Sequence, residues 1–156
     1  MSYVVRGLDP PPFKPLFHLG DAELADQGIV RMFVSKKPSF PCRITLEDRD
    51  VGESVLLLNH VSHDVTNPYR SAHAIFVGEA ERAAEFIDQL PPVFETRMLS
   101  LRAFDSNGMM IDAIVVQPGE AEKGIETLFE NPEIKTLHAH NAARGCFSAK
   151  IERHGS

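Results

Sequence analysis

The residues best suited to chemistry lie in one run, His138-Ala139-His140-Asn141-Ala142-Ala143-Arg144-Gly145-Cys146-Phe147. Two imidazoles, a thiol, a guanidinium and a carboxamide fall within the nine positions from His138 to Cys146. A thiol beside an imidazole is the minimum for nucleophilic catalysis, because a neighbouring imidazolium raises the thiolate fraction. Cys146 and His140 are therefore the candidate catalytic pair. Asn141 is placed to orient the ring, and Arg144 to hold an anionic group through its planar fork. The same residue types also serve metals. His138, His140 and Cys146, joined by His60, His63 or His73, are donors that zinc accepts. No spacing matches a compact zinc motif, however, so the residues assign no metal and identify no cofactor.

These side chains meet only if the chain folds back on itself. If Ile134–His140 and Cys146–Arg153 pair symmetrically around Asn141–Gly145, His140 faces Cys146 and His138 faces Ser148. Such neighbours lie about 4.5–5.5 Å apart at Cβ. The two-residue period then puts Leu137, Ala139, Phe147, Ala149 and Ile151 on a core face. Thr136, His138, His140, Cys146, Ser148 and Lys150 share the polar face. Upstream, Arg97–Phe104 and Met109–Gln117 flank Asn107-Gly108, a hairpin signal. Arg102 falls on an apolar face with Met98, Phe104, Met109, Ile111 and Val115, and Asp112 on the opposite one. A charge on an apolar face needs a partner, which can be an ion pair or the carboxylate or phosphate of a ligand. Around Asn67-Pro68, the polar 61–72 stretch with Tyr69, followed by His73, reads as a binding loop. A site on the terminal hairpin requires this loop to close over it.

The remaining elements form the scaffold. Pro10, Pro11, Pro12 and Pro15 make the first twenty residues an irregular arm, pinned by Phe13, Leu16 and Phe17. Asp21–Gln27 reads as a short helix with Asp21 as N-cap, followed by a strand over Ile29–Val34. Cys42–Glu47 alternates as a half-buried strand, with Cys42, Ile44 and Leu46 inward. Cys42 is thus a small buried hydrophobe, which argues against a Cys42–Cys146 disulfide unless different strands bring the two together. Val55–His60 suits a central strand covered on both faces, and His73–Val77 another strand. Glu79–Leu90 carries a helical stripe ended by Pro91-Pro92, and Glu120–Glu130 a second one. The fold class is α+β: a mainly antiparallel sheet with two amphipathic helices packed on it and a Pro-rich N-terminal arm.

With 156 residues, 43% hydrophobic and 24% charged, the chain reads as one globular domain over residues 1–156. The net charge of −6 argues against nucleic acid and against an anionic membrane as partner. No apolar run approaches the roughly 18 residues of a membrane span, and the first residues lack a signal-peptide pattern. Cys42 and Cys146 stand 104 positions apart and form no framework, which places them as free thiols in a reducing cytoplasm.

Several segments together carry a resemblance: Pro41-Cys42-Arg43, Gly52-Glu53 before Val55-Leu56-Leu57-Leu58, Pro68-Tyr69-Arg70-Ser71, Leu101-Arg102-Ala103-Phe104, and His138-Ala139-His140-Asn141 leading to Gly145-Cys146-Phe147. In this order the chain resembles the bacterial domain-of-unknown-function family 1203 over nearly its whole length. The resemblance implies a bacterial single-domain protein and no particular activity. It draws attention to Cys42, Arg43, Tyr69, Arg102, His138, His140, Asn141 and Cys146.

Three functions are compatible with these residues. The leading one is a site for an unidentified anionic small molecule on the polar face of the terminal hairpin. His138, Asn141, Arg144, Arg102, Tyr69 and His73 would bind the ligand, with Cys146–His140 reactive. The others are a zinc-type metal protein, and a non-catalytic assembly module such as a homodimer formed through an open sheet edge.

Overall fold

The computed structural model describes residues 1–155. In chain order the elements are β1 (Tyr3–Arg6), a 3-10 turn (Lys14–His18), α1 (Asp21–Asp26), β2 (Val30–Phe33), β3 (Ser54–His63), β4 (Ser71–Val77), β5 (Glu85–Ile87), α2 (Pro92–Glu95), β6 (Leu99–Phe104), β7 (Met110–Val116), α3 (Ala121–Phe129), β8 (Thr136–Asn141) and β9 (Phe147–Arg153). They build two antiparallel sheets. One has six strands in the order β5-β1-β9-β8-β6-β7; the other has three, in the order β2-β3-β4. The architecture is α+β, as the patterning implies. Among the described residues no helix is long and apolar enough to cross a membrane.

One face of the large sheet carries Leu99, Leu101, Ala103, Leu137, Ala139, Ala149 and Ile151. It packs under α3, through Ile125, Leu128 and Phe129, and under α2, through Val93 and Phe94. Each such leucine, isoleucine, valine or phenylalanine taken out of water contributes about 1.5–3 kcal/mol. A second core joins Leu56, Leu58, Ile75 and Val77 of the small sheet to Leu24, Phe13, Cys42 and Ile44. Phe13, with Leu16 and Phe17 beside it, does pin the N-terminal segment. The central strand β3 buries both Val55 and Leu56, on opposite faces.

Four expectations are corrected. The N-terminal arm is not wholly irregular, because Tyr3–Arg6 is a strand held between β5 and β9. Helix α1 is capped by Gly20, and Asp21 is its first helical residue. Cys42–Glu47 is a tight loop rather than a strand, closed by Leu46 N–H to the Cys42 carbonyl at 2.9 Å, with Leu46 at φ 57°. Its apolar residues serve different cores, Ile44 the second and Leu46 the first, so the segment must turn between them. Glu79–Leu90 is not a helix. Its end forms β5, which closes the sheet edge beside β1 (Val4↔Ile87). Ala80 packs on the second core while Ala84, Phe86 and Leu90 pack on the first, so no single stripe is used. Pro92 starts a helix instead of stopping one, at a position where its missing N–H is no loss.

Candidate functional site

The terminal hairpin keeps its parity but not its register. His138 lies opposite Lys150 and Ala139 opposite Ala149, while His140 lies opposite Phe147. Ser148 is the extra residue of a β-bulge. The expected pairs His140–Cys146 and His138–Ser148 are therefore not formed. The bulge also turns Phe147 off the core face and into contact with the histidine rings, at 5.3 Å from His138 and 5.8 Å from His140.

The polar face of this hairpin is not a solvated one. The small sheet covers it, leaving His138 4% and His140 1% exposed. From that sheet His60 and His73, cross-strand partners, and His63 point at the same layer. His63 meets His138 at 5.1 Å and His73 meets His140 at 4.9 Å, both edge-on, and Phe104 lies 4.0 Å from His63. Five of the seven histidines thus form one layer with Phe104 and Phe147, with His138 and His140 buried and His60, His63 and His73 half-buried. The other two, His18 and His154, are exposed.

Burial drives the electrostatics. The His138 ring is held neutral, its pKa pushed down to about 3 by desolvation, with His63, His140, Lys150 and Arg102 adding to the effect. His140 is pushed down to about 4 by desolvation, although its bond to Gly145 opposes this. His60 and His73 are lowered for the same reason, His73 also by Arg102. His140 Nδ1–H donates to the Gly145 carbonyl at 2.9 Å, and His63 Nε2–H donates to the Gly108 carbonyl at 2.9 Å. By contrast, Nδ1 of His73 and Nδ1 of His138 are buried with no partner.

The remaining candidates separate. The Cys146 sulfur accepts from Arg43 Nη2 at 3.2 Å and from Asn141 Nδ2 at 3.4 Å, while Asn141 Oδ1 is buried without a partner. Both cysteines are free, and Cys42 is fully buried. Arg102 is half-buried, bonded among the described residues only to Ser100 Oγ at 3.4 Å, and its charge bears on His73, His138 and His140. Arg144 stands exposed in the turn. The start of the 61–72 stretch lies against the terminal hairpin, where His63, Asp64 and Val65 share a cavity with Thr136, His138 and Lys150, while Tyr69 does not line that cavity. Strand β3 runs on to His63, and the shortened loop leans on the β6–β7 turn through Asn67 Nδ2 to the Asn107 carbonyl at 3.1 Å. Among the described residues no three His, Cys, Asp or Glu side chains converge to hold a metal ion.

The residue pattern gave Arg43 no site role, and only the family resemblance drew attention to it. It is 2% exposed, donating to the Phe147 carbonyl at 2.8 Å and the Pro41 carbonyl at 2.7 Å as well as to Cys146. Local alternation put it on the solvent side of a strand, so nothing local could reveal it. Lys150 was legible on the polar face but had no assigned role.

A cavity of about 430 Å³ opens at one end of the histidine layer. His63, Phe104, Asp105, Thr136, His138 and Lys150 help line it. A larger one, about 670 Å³, lies near Thr45–Glu53 and Pro92–Thr96. Its charges largely neutralise one another through Arg49–Glu53, Lys37–Asp50 and Arg97–Asp48. The smaller cavity depends on Gly108, at φ +74°, where an added Cβ would lie 2.8 Å from Val65 Cγ1 and 3.3 Å from His63 Nε2. Gly108→Ala is expected to destabilise the fold by about 1–3 kcal/mol and to displace His63. Thermal unfolding and the His63 ring resonances check this; an unchanged midpoint with unmoved resonances contradicts it.

The profile of a family described as "Protein of unknown function (DUF1203)" matches residues 39–153. No curated protein and no solved structure matches the chain.

Proposed function

The chain belongs to the DUF1203 family, whose description assigns no activity, and from its histidine layer we propose that it binds a small molecule with an anionic end in the 430 Å³ cavity. The observation that carries this reading is His138. Its ring is 4% exposed, lines the cavity and keeps Nδ1 without a partner. A buried unsatisfied polar group costs about 1–3 kcal/mol, so a small turn of the ring that brings Nδ1 to a ligand would recover part of it.

The anionic character follows from the charges nearby. Lys150 sits directly across from His138, and among the described residues its one carboxylate neighbour is Glu152 at 3.7 Å. Arg102 and Arg43 add positive charge around the layer, and neither is ion-paired with a carboxylate among the described residues. A neutral imidazole contributes one donor and one acceptor, so it orients a ligand without adding charge. Cys146 and His140 do not line the cavity, so the reading is one of binding and includes no covalent step.

Titration calorimetry with inorganic phosphate and with simple carboxylates tests it. Lys150→Gln, an exposed position, should leave folding intact and weaken binding about tenfold, or about 1.4 kcal/mol. Equal binding by the variant, or no binding of either anion class, would overturn the reading.

A further inference from the structure

The same cavity carries acid as well as base. Asp64 and Asp105 line it together with Lys150. Asp64 is matched by Arg70, at 3.4 Å from its Nε. Asp105 uses Oδ1 to accept the N–H groups of Asn107 at 2.8 Å and Met109 at 3.0 Å. Its Oδ2 makes no hydrogen bond or ion pair among the described residues. The cavity is thus lined by one carboxylate with an oxygen free of hydrogen bonds among the described residues, one ammonium and, between them in kind, the neutral ring of His138. Phe104, 4.0 Å from His63, gives it an aromatic wall.

Resting on the binding reading above, we infer that the ligand is a small zwitterion of the amino-acid class, its carboxylate directed to Lys150 and its ammonium to Asp105. A purely anionic ligand would leave Asp105 facing negative charge, and a purely cationic one would face Lys150. A zwitterion satisfies both, and its side chain has the Phe104–His63 wall to pack on. His138 can donate to the carboxylate or accept from the ammonium, according to its tautomer.

The test uses three probes of one skeleton on the full chain: phenylalanine, 3-phenylpropionate and phenethylamine, with glycine, glutamate and lysine as further amino acids. Binding is read by calorimetry and by the ring resonances of His138 and His63. The expected result is that an amino acid binds at least about tenfold tighter than either singly charged analogue and shifts both rings. Asp105→Asn keeps the turn-capping oxygen. It should weaken amino-acid binding at least about tenfold and leave 3-phenylpropionate unaffected. If 3-phenylpropionate binds as well as the amino acids, the zwitterion inference falls and the anion reading stands. If no probe carrying a carboxylate binds, or if phenethylamine alone does, both fall.

Discussion

Lowering the pH from 7 to 4 is expected to destabilise this fold by on the order of 5 kcal/mol through two histidines, more than half of it above pH 5, before most carboxylates titrate. His138 and His140 titrate near 6.5 in the unfolded chain, but in the fold only near about 3 and about 4. As pH falls through 6.5 the unfolded state takes up two protons that the native state refuses, so stability rises with pH throughout this window. The contribution is complete above about 6.5 and is lost progressively towards the folded values, at up to about 1.4 kcal/mol per pH unit for each ring. The rings are faced by His60, His63, His73, Lys150, Arg102 and Arg43 and by the apolar Phe104 and Phe147. No carboxylate contributes to either shift. The charges that bear most on the two rings are positive, although Asp64 and Asp105 share the cavity that His138 lines. His60 and His73 act in the same direction. Asp50 and Asp88, lowered by their own hydrogen bonds, add to the loss only below the carboxylate range. Urea unfolding at several pH values between 7.5 and 4.5, with the native histidine resonances followed in parallel, checks the slope. Constant stability from pH 7 to 5, or a native His138 titrating near 6.5, would sink the prediction.

Replacing Arg43 is the substitution with the largest expected effect. Two of its donor groups tie the 41–43 segment to the start of β9, through the Phe147 carbonyl and the Cys146 sulfur, and a third holds the Pro41 carbonyl of its own segment. Burial opposes its charge, and the Cys146 sulfur facing it works the other way. Replacing a buried ion by an apolar side chain is often harmless when its partner ion leaves too. Here the partners are the carbonyls of Phe147 and Pro41, which stay behind and lose their donors. Each orphaned group costs about 1–3 kcal/mol. Arg43→Met should therefore lower stability by about 3 kcal/mol and Tm by roughly 6–12 °C for a chain of this size. Cys146→Ser, which keeps an acceptor near Arg43 Nη2, should change it by less than about 1 kcal/mol. Comparable Tm values for wild type and Arg43→Met would show that the guanidinium is not a strut. A drop for Cys146→Ser as large as for Arg43→Met would move the structural weight to the sulfur.

The hairpins, the amphipathic helix α3 and the inward set Leu137, Ala139, Ala149 and Ile151 were legible because period-two and period-3.6 patterns report one buried face each. The polar face bearing His138, His140 and Lys150 was legible for the same reason. What that face does was not. A polar face on an outer hairpin and one sealed beneath another sheet have the same local alternation. Only the packing of β3 and β4 brings His60, His63 and His73 against it. The Glu79–Leu90 stripe misled because the open edge of β1 gained more from a strand partner than the segment did from helix formation. The Cys42–Glu47 alternation misled because one short segment feeds two cores.

By itself the sequence determined the α+β class, the strand pairs joined by short turns, the family, and the set of residues able to do chemistry. Each of these depends on neighbours a few positions apart or on residue identity. The tertiary structure alone decided the bulge that replaces the His140–Cys146 pair, the burial of Arg43, and the five-histidine layer. These are set by contacts between segments up to about a hundred residues apart, such as Arg43 with Phe147, whose formation depends on how two separate cores pack. No local pattern encodes that packing.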